Sequence, residues 1–132
     1  MLRKLSLSVT LFCVATAASA QALPASCSVL IKATSVCMAG AANEVAALKP
    51  AESKTLLRPD YASITGSMLR ARPDAASYCT SNEATDGIID RMQGLASKYG
   101  IEDGKTLVTD DCRAAMRPQI RQVMAAHPKL VQ

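Results

Sequence analysis

The chain has no tryptophan, one phenylalanine and one histidine, and each scarcity closes off a class of function. Phe12 lies in the first twenty residues, so the remaining aromatics are Tyr61, Tyr78 and Tyr99, and any core must be built from Leu, Ile, Val, Met and Ala. A Ser or Cys nucleophile needs a positioned base, usually histidine. The one candidate, His127, stands immediately before Pro128 at an expected helix end, where an imidazole complements the C-terminal dipole. No catalytic motif is present, and the chain is expected not to be an enzyme. There is no C-x-x-C for redox chemistry, no C-x-x-C-H for haem, and no close cysteine pair for a zinc site. No cofactor and no metal site are therefore expected.

Basic charge is also scarce once the start of the chain is read. Met1-Leu-Arg-Lys4 is a short basic stretch, Leu5–Ala15 is apolar, and Ala18-Ser19-Ala20 supplies small residues at a cleavage site. Residues 1–20 read as a cleaved signal peptide, and residues 21–132 as a single domain beginning at Gln21. The apolar stretch is shorter than the roughly 20 residues that span a bilayer. Beyond residue 20 nothing is expected to approach an 18-residue apolar run, so the mature chain is expected to be soluble, in the periplasm or secreted. Losing Arg3 and Lys4 lowers 15 basic side chains to 13 against 11 acidic ones. A net charge of +2 leaves no nucleic-acid footprint and no polybasic membrane patch.

The mature sequence is helical in pattern throughout, and the fold class is all-α: a small four-helix-type bundle stapled by two disulfides. Between about Ser26 and Lys49, Cys27, Leu30, Ile31, Thr34, Cys37, Met38, Ala41, Val45 and Leu48 recur by threes and fours, with Lys32 and Asn43 on the opposite side. Gly40 interrupts this helix and marks a close helix contact. Pro59 suits the first position of a second helix, with Tyr61, Ile64 and Met68 on its inner face, ending before Pro73. Asp74–Cys79 reads as a short helical turn. Thr80 or Ser81 caps a third main helix that carries Ala84, Ile88, Met92, Leu95 and Tyr99 up to Gly100. Ile101–Lys105 reads as a loop. Thr109 caps a last helix through Cys112, Met116, Ile120, Val123 and Met124, with a kink or fresh start expected at Pro118.

Four cysteines, Cys27, Cys37, Cys79 and Cys112, remain in the mature chain, and in an exported domain they imply two disulfides. Cys27 and Cys37 lie about 15 Å apart along a continuous helix, whereas bonded Cα atoms sit within about 7 Å, so they do not pair. A nested arrangement, Cys37 with Cys79 and Cys27 with Cys112, fits an antiparallel return of the chain; the crossed arrangement is the alternative. The spacing of Cys27 and Cys37 resembles one half of a twin CX9C hairpin, but the second half is missing and no family is assigned.

Two charged stripes are candidate surfaces. Glu83, Asp86 and Asp90 fall within about 60° of one another on the third main helix and read foremost as a solvated face. Arg113, Arg117 and Arg121 stack along one flank of the last helix beside Met116 and Ile120. Like charges at this spacing repel by a few tenths of a kcal/mol, so the helix gains nothing from them. The three arginines read foremost as paired within the domain or facing water; arginine beside apolar side chains is also a mixture common at protein interfaces, so the flank is the candidate docking surface. The expectation is a small exported helical protein that binds another periplasmic or secreted protein, as an inhibitor, immunity factor or stress chaperone would. The alternative is a carrier of a small apolar ligand; an enzyme ranks third.

Overall fold

The structure is a computed structural model that describes residues 22–131. The signal peptide and cleavage site expected from the sequence lie outside the described residues. Five helices follow in order: α1 (Ala25–Leu48), α2 (Tyr61–Arg70), α3 (Ala75–Cys79), α4 (Asn82–Lys98) and α5 (Asp110–Ala126), and no strand occurs among the described residues. Short 3-10 turns lie at Glu52–Thr55, Gly104–Leu107 and Pro128–Val131.

Local chemistry sets the helix boundaries. Asp60 caps α2 by accepting from the Ser63 backbone N–H at 3.1 Å, and that hydrogen bond holds the Asp60 carboxyl below the usual carboxylate range. Pro59 thus precedes the cap instead of opening the helix. Ser81 caps α4 through the Ala84 N–H, and Thr109 caps α5 through the Cys112 N–H, at 3.2 and 3.1 Å. Gly100, at φ 68°, takes the left-handed position after α4 that a side chain would strain. α5 runs unbroken through Pro118. The ring removes one N–H from the ladder, but Ala114 and Pro118 are both exposed, so water can serve the orphaned carbonyl.

α1 is the centre of the molecule, packing against α2, α3, α4 and α5. By length and composition Ala25–Leu48 is apolar enough to cross a membrane, which corrects the expectation that no such run follows residue 20. Here one face of it is the protein core: Cys27, Leu30, Ala33, Thr34, Cys37, Met38, Ala41, Ala42 and Val45 are buried. Leu69, Ala84, Ile88, Met92, Ala96, Leu107, Cys112 and Met116 close over them.

Two disulfides fasten this arrangement in the crossed pattern: Cys27–Cys79 with Cα atoms 5.1 Å apart and Cys37–Cys112 at 4.4 Å. The nested pairing expected from sequence is therefore corrected. It assumed that the last helix meets α1 at its start. Instead α2 and α3 bring the chain back to the N-terminal end of α1, where Cys79 meets Cys27. α5 begins opposite the middle of α1, at Cys37, and runs antiparallel until Gln122 reaches the Ser26 carbonyl at 2.9 Å.

α2 also departs from expectation. Its buried residues are Thr65, Gly66 and Leu69, while Ile64 and Met68 are 47% and 51% exposed. The reason is close packing: a Cβ added at Gly66 would lie 3.8 Å from the Ile31 Cδ1, so the small side of α2 faces α1 and the larger side chains turn outward.

Gly40 does mark a close contact. A Cβ there would meet the Thr109 hydroxyl at 2.8 Å, disturbing the residue that caps α5. Gly40→Ala is expected to cost about 1–2 kcal/mol, because overpacking and a weakened cap outweigh the helix propensity gained. Gly94→Ala, where nothing lies within 4 Å of the added Cβ, should instead raise stability by up to about 1 kcal/mol. Urea unfolding of both oxidised variants measures the contrast; a stabilised Gly40→Ala would show that Thr109 gives way freely.

Candidate functional site

The clearest concavity is a cleft of about 260 Å³ bounded by α1, α2 and α4. Leu30 and Thr34 come from α1, Thr65 and Leu69 from α2, and Ala84 and Ile88 from α4; all six are buried and form its floor. Met68, Ala71, Arg72, Tyr78, Gly87 and Arg91 complete the lining, and none of the lining residues is acidic. A groove between α1 and α5, around Val29, Val36, Ala115 and Pro118, is larger at about 510 Å³ but has no buried residue in its lining.

The two arginines are in different states. Arg72 grips Asp74 with two hydrogen bonds, 2.9 and 3.1 Å, and its guanidinium carbon lies 3.8 Å from the centre of the Tyr78 ring. Those hydrogen bonds raise the Arg72 pKa and hold the Asp74 carboxyl below its usual range. Arg91 has no carboxylate partner among the described residues; its guanidinium lies 4.0 Å from the Met68 sulfur. Inside, the Thr34 hydroxyl donates to the Leu30 carbonyl at 2.8 Å. The Thr65 hydroxyl has no hydrogen-bond partner among the described residues. No fully sealed side-chain N or O atom lacks a partner there, so this hydroxyl opens onto the cleft.

The residues singled out from sequence lie elsewhere. Glu83, Asp86 and Asp90 are exposed along α4, and among the described residues no group of three His, Cys, Asp or Glu side chains is placed to hold a metal ion. Arg113, Arg117 and Arg121 are all exposed on α5. Arg113 pairs with Asp110 at 2.7 Å, whereas Arg117 and Arg121 make no ion pair among the described residues. Ile120 and Met124, 43% and 42% exposed, lie on the same helix beside them. His127 ends α5 and its Nε2 stands 3.2 Å from the Thr80 carbonyl, tying α5 to the end of α3.

The cleft residues escaped the sequence reading because they come from three helices and follow no spacing. One signal was present: Arg91 is a basic residue next to the acidic stripe of α4, three positions after Ile88. A buried amide pair was missed as well. Gln119 is fully buried and donates to the Cys79 carbonyl at 2.9 Å, while Gln122 donates to Ser26, Cys79 and the Gln119 side-chain oxygen. This pair satisfies the last carbonyl of α3 and locks α1, α3 and α5 together. Comparison with known proteins returns no match to a family model, a curated protein or a solved structure.

The two disulfides fit an exported protein.

Proposed function

We propose that this is a small periplasmic binding protein, released by cleavage after Ala20, that carries a small and largely apolar ligand in the α1–α2–α4 cleft. The observation that supports it is a concavity with a buried apolar floor in a domain of otherwise small, Ala-rich helices. Ligand sites are typically concave, mostly apolar and furnished with a few polar groups. In this reading the protein performs no chemistry, and the Cys27–Cys79 disulfide ties α1 to α3, the segment that links the other two walls α2 and α4.

Native mass spectrometry of the protein purified from the periplasm tests the reading. The expected result is a chain starting at Gln21 with a small ligand that denaturing solvent removes. Gly87→Leu should lack it, because Gly87 lines the cleft and a Cβ there meets only the Tyr78 hydroxyl, at 3.8 Å. Equal ligand retention by Gly87→Leu would place the ligand elsewhere.

A second reading keeps the protein partner. The exposed Ile120 and Met124 beside Arg117 and Arg121 favour α5 as the docking face. Replacing Arg113, Arg117 and Arg121 by Gln should then weaken capture of an acidic protein from periplasmic extract, and equal recovery by both forms would remove this face.

A further inference from the structure

Resting on the cleft reading, we infer that the ligand is a medium-chain carboxylate of about eight carbons, its head held by Arg91 and its chain on the apolar floor. Three observations converge on this chemistry. The first is volume. At about 30 Å³ for each water-sized group, comparable to a methylene, a cleft of about 260 Å³ holds eight or nine such groups. The further carbons of a long-chain acid lie outside the cleft and gain no floor.

The second is charge. No lining residue is acidic, and of the two lining arginines only Arg91 lacks a carboxylate partner among the described residues. Arg72 is already matched by Asp74 and stacked on Tyr78. Arg91 projects from α4 towards Met68 on α2, so its guanidinium stands beside the apolar surface and not apart from it. An ion there needs an apolar tail to reach the floor formed by Leu30, Leu69 and Ile88.

The third is the Thr65 hydroxyl. It belongs to a residue 6% exposed, has no partner among the described residues, and opens onto the cleft one turn of α2 from Leu69. The hydroxyl is open to water in the cleft, and a ligand oxygen that displaces that water takes its place as hydrogen-bond partner. Arg91 and Thr65 thus offer a charged and a neutral donor to an acceptor-only head group, which is what a carboxylate is.

Isothermal calorimetry on the delipidated, disulfide-bonded mature protein decides it, with octanoate, octanol and tetradecanoate as probes. Octanoate is expected to bind about tenfold more tightly than octanol, the size of a charge-assisted hydrogen bond at a partly exposed site. Arg91→Gln, at an exposed position, should bring octanoate down towards the affinity of octanol and weaken octanol far less. Tetradecanoate should bind no more tightly than octanoate, and Gly87→Leu should lose both eight-carbon ligands. Equal affinity for octanoate and octanol, or no effect of Arg91→Gln, overturns the carboxylate while the cleft stands. Undiminished binding by Gly87→Leu overturns the cleft reading itself.

Discussion

Removing the Cys37–Cys112 disulfide by a double alanine substitution is expected to lower stability by about 4 kcal/mol, a large part of the roughly 5–15 kcal/mol that holds a typical domain folded. The magnitude follows from the 75-residue separation of the two cysteines: in the chain-entropy model, freeing a loop that long restores much disorder to the unfolded chain. Cys27–Cys79 closes 52 residues, and its removal should cost slightly less, because the loop term grows only with the logarithm of length. Denaturant unfolding of each double variant, and of the fully reduced protein, gives the values. The reduced protein is expected to be largely unfolded at 37 °C. Peptide mapping of the oxidised protein should find Cys27 joined to Cys79 and Cys37 to Cys112. A nested map would contradict the path of α2 and α3.

The second large effect is expected at Gln119. Gln119→Ala should cost about 2–4 kcal/mol, since it opens a void at a fully buried site and withdraws a donor from the Cys79 carbonyl. Gln119→Leu separates the two causes: it keeps most of the volume, so a loss of about 1–2 kcal/mol would remain for the hydrogen bonds alone. Gln122 still reaches the Cys79 carbonyl at 3.0 Å, which keeps that figure below the cost of a wholly orphaned group. A neutral Gln119→Leu would mean that Gln122 alone satisfies the end of α3. Thermal unfolding of the oxidised variants is the measurement.

These two sites show what a linear pattern carries and what it does not. Helix periodicity in α1 and α4 was legible because one helix face meets one core, and so Leu30, Cys37, Val45, Ala84, Ile88 and Met92 are buried as their spacing requires. The caps at Ser81 and Thr109 and the left-handed Gly100 were legible because their chemistry is local. α2 was not, because it packs through Thr65 and Gly66, and a hydrophobicity rule assigns those small residues no face. Leu107 escaped for a similar reason: a short 3-10 turn has no period, yet it drives this side chain fully into the core. Gln119 reads as a solvent-facing residue until the end of α3 is brought against it. The disulfide pairing required the path of the whole chain. The cleft required three helices at once, and only Arg91 on α4 hinted at it.

The crossed disulfides have a consequence for the order in which the protein can be oxidised. Each native bond joins a cysteine to the next but one: first to third, second to fourth. A chain that emerges from its N-terminus offers Cys27 and Cys37 to an oxidant before either native partner has appeared, and an unfolded segment of ten residues would let them join. Formation of α1 prevents this, because ten residues of helix hold the two thiols about 15 Å apart. Early helix formation in α1 therefore guards against the wrong bond. A helix-breaking change between the two cysteines should show itself first as mispaired protein.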